Sequence, residues 1–298
     1  MQNTSNLHLP ATEKNLWGWI NGFIGVVIFS ASLPATRVAV QAFEPVFLTF
    51  ARASIAGVLA LCILALLNAK RPGRSQLLSL LIVAIGVVVG FPLLTALALQ
   101  HVSSAHSIIF LGLLPLCTAA FGVLRAGEHP RPTFWLFSVL GSALVIAFAL
   151  SQGLTANPKG DVLMLLAVLI CGLGYAEGAK LSKTLGGWQV ISWALALSLP
   201  LMGALAWLSA PASFAGIRPS AWFSLAYISL FSMLIGFFFW YRGLAQGGIA
   251  AVSQLQLLQP FFGLALAATF LHETVTLGMF GITGAVVVCV VAAKKFAM

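Results

Sequence analysis

Four polar side chains interrupt an otherwise apolar stretch: Ser253, Gln254, Gln256 and Gln259, followed at once by Pro260. Amides and hydroxyls donate and accept hydrogen bonds, which makes them binding groups rather than acids or nucleophiles. Ser253, Gln256 and Gln259/Pro260 recur every three or four residues and share one helix face, with Gln254 turned to another. Amides are costly against lipid and belong inside a bundle. There they could meet the ammonium and carboxylate of an amino acid without fixing its side chain, or join one helix to the next.

The ionisable candidates are few. Arg52 lies about seven residues into an apolar run, where it could reach a site or snorkel outward. Glu177 stands one turn before Lys180 and is either its ion-pair partner or a proton-coupling group. His101 and His106 flank the start of another run and could act as a pH switch or as wall residues. Tyr175 suits a cavity wall or an aromatic belt. Trp17, Asn21, Gly25, Ile28 and Ser32, again spaced by three or four, offer either a facing wall or a close-packed helix seam.

These residues do not form a catalytic set. The chain has one aspartate, Asp161, where a membrane aspartyl protease needs two. His272-Glu273 begins HETVT, without the second histidine of a metalloprotease helix. There is no nucleophile turn, no phosphate-binding loop for ATP, and no cysteine spacing suited to zinc; Cys62, Cys117, Cys171 and Cys289 all lie inside apolar runs. Neither an enzyme, a metal centre nor a cofactor is expected.

Composition says what must hold these residues. Of 298 residues, 60% are hydrophobic and 7% charged, with a mean hydropathy of +1.04. A water-soluble domain cannot cover itself with so few charges, so the lipid bilayer is the expected partner. Unbroken apolar runs of about 20 residues suit helices rather than barrel strands. They fall near 16–36, 45–68, 75–99, 103–124, 133–151, 160–181, 188–208, 219–240, 248–271 and 275–293. The net charge of +9 does not mark a nucleic-acid binder, because its basic residues are scattered a few per loop. With a cytoplasmic N-terminus, only Arg37, Lys159 and Arg218 fall on the far side and Arg52 within a span; the rest of the 15 Lys and Arg face the cytoplasm. Both termini are therefore expected in the cytoplasm of a bacterial-type inner membrane.

The fold class expected is all-α, integral to the membrane, with ten transmembrane helices as two inverted five-helix repeats around a central cavity. The repeats are 1–154, whose first 15 residues form a cytoplasmic tail, and 155–298. An odd number of crossings per repeat forces the inversion, an architecture shared by many secondary transporters. Pro115 and Glu128 are spaced like Pro260 and Glu273. Each proline frees the carbonyl four residues earlier, of Leu111 or Gln256, and kinks its helix; a gating or cavity-shaping role and a fixed bend are both open. The run of residues from each proline to its glutamate spans roughly 20 Å as helix, against roughly 15 Å for half a bilayer core. Glu128 and Glu273 are thus expected at opposite surfaces, in structural roles.

On the Pro115/Glu128 and Pro260/Glu273 pairs, the opening Leu16-Trp17-Gly18 and Arg52, the chain resembles the drug/metabolite transporter superfamily, EamA type. The resemblance covers nearly the whole chain and is greatest to an amino-acid-exporting branch. It implies ten helices in two inverted repeats and export of amino acids, of broad or aromatic and neutral type, through a cavity between the repeats. The alternatives are export of other small metabolites or cationic drugs, and, in a different class, a channel-like pore. A monomer suffices for such a path. The fifth and tenth runs carry no ligating groups and brace the bundle or face lipid or a second protomer.

Overall fold

In a computed structural model the described residues are 11–98, 101–102, 107, 110–150, 157–271 and 277–297. All elements among them are helical. In the first half they are α1 (Ala11–Ser30), α2 (Ser32–Ala39), α3 (Pro45–Leu66), α4 (Arg74–Val83), α5 (Phe91–Ala98), α6 (Leu114–Ala126) and α7 (Pro132–Leu150). In the second half they are α8 (Pro158–Leu185), α9 (Gly187–Leu208), α10 (Pro219–Tyr227), α11 (Gly236–Gly247), α12 (Ile249–Ser253), α13 (Gln259–Leu271) and α14 (Leu277–Phe296). Six continuous helices are long and apolar enough to cross a membrane: Asn15–Thr36, Pro45–Leu66, Arg74–Ala98, Pro158–Leu185, Gly187–Leu208 and Pro219–Gly247. The helices Leu114–Ala126 and Pro132–Phe148 are shorter and also apolar.

Local chemistry sets the boundaries. Proline opens α3, α8 and α10 at the first helical position, where its missing N–H costs nothing. Glu44 caps α3 by accepting the Phe47 N–H at 2.9 Å, and Asn157 caps α8 through the Gly160 N–H at 3.1 Å. Gly127, at φ +67°, ends α6, and Gly248, at φ +90°, turns α11 into α12 within a single residue.

The helices pack across the halves. The first stretch lies against α11, α3 against α9, α5 against α8, α6 against α8 and α12, and α7 against α14. Exchanging each stretch with its counterpart in the other half leaves this pattern unchanged. Close approaches depend on missing side chains. A Cβ on Gly18 or Gly243 would strike the backbone of the opposing helix, at Gly247 or Gly22.

Two helices widen where they bend. Between α4 and α5 the segment Ala84–Gly90 passes to i→i+5 hydrogen bonding, ending with the Phe91 N–H on the Gly86 carbonyl. Between α10 and α11, Ile228–Ile235 does the same, ending with the Gly236 N–H on the Phe231 carbonyl. Gly86 packs on the backbone of α8 and Gly236 on Phe29 of α1, so each wide turn abuts the other half.

Candidate functional site

The bundle encloses a cavity of about 170 Å³ between the two halves. Thr49 and Arg52 reach it from α3, and Ser32 and Thr36 from α2. Beyond the first wide turn Phe91, Pro92 and Thr95 line it, and Tyr175 enters from α8. Ser232 and Phe237 face it from the second wide turn and α11, and Gln256, Gln259 and Pro260 close it from the ninth stretch. The cavity runs from mid-bundle toward the turn that carries Val40 and Pro45.

At the opposite end the helices are shut against each other. A Cβ at Gly187 would lie 2.8 Å from the Arg242 nitrogen and 3.1 Å from the Phe238 carbonyl. Gly178 sits directly beneath the Tyr241 ring, and the Tyr241 hydroxyl donates to the Gly174 carbonyl at 3.2 Å.

Arg52 is the one described charged residue lining the cavity. Its Nη2 donates to the Ser232 hydroxyl at 3.3 Å, which also accepts from Ser32 at 2.8 Å. The Arg52 Nε and the Thr95 hydroxyl are buried without a protein partner among the described residues. Gln256 is 4% exposed and lies beside Tyr175, yet both of its amide atoms fall outside hydrogen-bonding geometry to protein. The Gln256 carbonyl, which Pro260 cannot meet, is taken by the Gln259 N–H, because Gln254–Leu258 tightens to i→i+3 bonding.

Of the residues singled out from sequence, Ser32, Arg52, Tyr175, Gln256 and Pro260 meet in this cavity. Others stand elsewhere. Trp17 is half exposed on the outer face of α1, and Asn21 donates back to the Trp17 carbonyl at 2.7 Å. His101 lies on the seam between the α5 end and Gly160. Ser253 shares the face of Gln256 but lies a turn away, donating to the Ala250 carbonyl at 2.9 Å with the Pro115 carbonyl at 3.3 Å. Gln254 accepts from Ser138 of α7 at 2.9 Å, so it ties the halves together. Pro115 sits at the opening of α6. His106 and Glu273 lie outside the described residues.

The two remaining carboxylates belong to the closed end. Glu128 accepts the N–H groups of both Ile249 and Ala250 at 2.7 Å, capping α12. Glu177, 1% exposed, pairs with Arg125 Nε at 2.8 Å and accepts from Ser79 at 2.6 Å. The expected ion pair with Lys180 is therefore replaced by one from α6, because Arg125 points across the closed end at it. The cavity hydroxyls of Thr36, Thr49, Thr95 and Ser232 were not anticipated. One signal was available: Thr36 follows Ser32, and Arg52 follows Thr49, at helical-face spacing.

A model of the EamA-like transporter family matches residues 16–150 and again 158–293. The chain belongs to the EamA-like transporter family. Among its relatives is a Bacillus subtilis (strain 168) protein described as uncharacterized transporter YdeK. It is 65% identical over 285 residues, spanning 96% of this chain and 99% of that one. The Escherichia coli (strain K12) inner membrane transporter YedA is 26% identical over 161 residues, 54% of this chain and 52% of that one. A solved crystal structure shares the fold with a TM-score of 0.79 at 18% identity, covering 94% of this chain and 99% of that one. The protein is thus an all-helical, multi-pass membrane transporter built from two EamA units.

Proposed function

We propose that the protein is a secondary transporter that exports amino acids from the cytoplasm by alternating access. The observation that carries this reading is a cavity lined by both halves and shut at one end only. A pore would run through, whereas a carrier needs one closed seam at a time. The fold proposed is ten membrane helices in two inverted repeats, divided near residue 155, with both termini in the cytoplasm and the shut end facing it. The half-swapped packing and the distribution of Lys and Arg support that placement.

The repeats also suggest how the open end closes. By helix order, α9 corresponds to α3, and α11 to α5. The shut seam of Gly187 on Phe238 and Arg242 therefore has its counterpart in Pro45 facing Pro92–Ala96, which is the cavity mouth. Closing the mouth while opening the seam exchanges the two arrangements, with Gln256 and Tyr175 meeting the substrate in both. Pro260 and the wide turns supply the bends. Among the described residues no carboxylate lines the cavity, and Glu177 is engaged by Arg125 and Ser79. This favours facilitated export over proton antiport, and an amino acid over a cationic drug.

Counterflow of radiolabelled amino acids into proteoliposomes, with and without a pH gradient, tests the reading. Saturable, trans-stimulated exchange that ignores the gradient is expected. Unsaturable flux would assign a pore, and absence of flux for every amino acid would overturn the substrate.

A further inference from the structure

The transport reading leaves open which chemical group of the substrate is recognised. Arg52 bears on this directly. A guanidinium carries five N–H donors and no acceptor, and it cannot shed its charge in a protein. Inside a membrane bundle an uncompensated cation costs several kcal/mol at least, and such residues ordinarily pair with an acid. Among the described residues lining the cavity there is no acid. The only printed partner of Arg52 is the neutral Ser232 hydroxyl at 3.3 Å, long for a charge-assisted bond. Its Nε is buried without a partner.

Two further groups with unmet hydrogen bonds share the cavity, the Thr95 hydroxyl and the Gln256 amide. Both are neutral, and each can donate to an anion. The rest of the wall is apolar and aromatic, with Phe29, Leu48, Phe91, Leu114 and Phe237 among the lining residues. The cavity therefore offers one fixed positive charge, neutral donors and a greasy remainder.

Building on the transport reading, we propose that Arg52 is the anion anchor of the substrate site. The substrate class is then a small monocarboxylate with an apolar or aromatic tail, held at Arg52 by its carboxylate with Thr95 and Gln256 as neutral partners. An amino acid fits as one member of this class. Its ammonium group adds nothing, because a monocarboxylate brings the cavity to charge balance and a zwitterion leaves it at plus one. The selectivity order follows: the acid lacking an amine binds at least as tightly as the amino acid, and the amine lacking an acid does not bind.

The experiment uses four probes that share one tail: 3-phenylpropanoate, phenylalanine, phenylalanine amide and phenethylamine. Binding to the purified full-length protein is read by calorimetry, and by the shift of its melting temperature. Expected are binding of the first two, with 3-phenylpropanoate at least equal to phenylalanine, and no shift for the two amines. Arg52→Gln should lower affinity for 3-phenylpropanoate at least tenfold, with Arg52→Lys intermediate. The wild-type order alone decides the matter if Arg52→Gln fails to fold. Amines binding as tightly as 3-phenylpropanoate, phenylalanine binding at least tenfold tighter than 3-phenylpropanoate, or a folded Arg52→Gln with unchanged affinity would each overturn the proposal. So would binding of neither acid. These results leave the carrier reading standing as long as trans-stimulated flux of some substrate is seen; loss of all exchange sinks that reading separately.

Discussion

Glu128 holds the Ile249 N–H at 2.7 Å, and its second oxygen holds the next N–H along the chain. A carboxylate at the end of one half's helix thus caps the first turn of a helix in the other half, where the helix dipole favours negative charge. Glu128→Ala removes both bonds and is expected to cost about 1–2 kcal/mol. The melting temperature should fall by several degrees in fluorescence-monitored unfolding, while the KM of the remaining folded protein stays near wild type. A stable variant that has lost transport would instead give Glu128 a role in the translocation cycle.

The pair at Glu177 predicts an asymmetry. Glu177 is 1% exposed, whereas the Arg125 side chain is 41% exposed. Removing Arg125 strands a buried carboxylate with one hydroxyl; removing the charge of Glu177 leaves an arginine that water can reach. Arg125→Ala should therefore destabilise more than Glu177→Gln, by up to roughly 3 kcal/mol after allowance for the exposed side of the pair. Equal losses for the two variants, measured by thermal unfolding, would remove the basis for this ranking.

Neighbouring glutamines should behave differently. Gln254 accepts from Ser138 between the halves, and Gln256 faces the cavity with its amide unmet. Gln254→Leu should lower folded yield and melting temperature by a few kcal/mol at most, leaving a buried hydroxyl unpaired. Gln256→Leu should leave stability near wild type and raise KM several-fold. Transport kinetics and unfolding run side by side separate the two.

The shut seam can be wedged. The backbone of Phe238 and Arg242 leaves no room for a side chain at Gly187. Gly187→Leu should push the seam open. In a background without Cys62, Cys117, Cys171 and Cys289, a cysteine introduced at Thr95 should then react faster with an impermeant thiol reagent added from the cytoplasmic face. Labelling no faster than in the parent background would show that this seam does not close the path.

Much of the architecture was legible because it rests on local chemistry. Pro45, Pro158 and Pro219 mark helix starts, and Gly127 and Gly248 mark sharp ends. The face shared by Ser253, Gln256 and Gln259 was also readable, but not its depth. Ser253 lies a turn toward the closed end, where the neighbouring helix supplies the Pro115 carbonyl. Only tertiary packing decides that. The same holds for Glu177, whose partner Arg125 lies 52 positions away and not on the adjacent helical turn. Arg52 was recognisable as unusual, yet its burial beside Ser232 depends on the wide turn at Ile228–Ile235, which has no local sequence signature.

Those wide turns, at Ala84–Gly90 and Ile228–Ile235, make chain length itself a constrained quantity. A hydrogen-bonded loop one residue longer than the α-helical one changes the angular register of everything after it. Deleting one residue from the first would rotate Phe91, Pro92 and Thr95 by roughly 100° about the helix axis. Deleting one from the second would swing Gly236 off Phe29. A single-codon loss in either segment should therefore be as damaging as a charged substitution in the core, although every remaining side chain is unchanged.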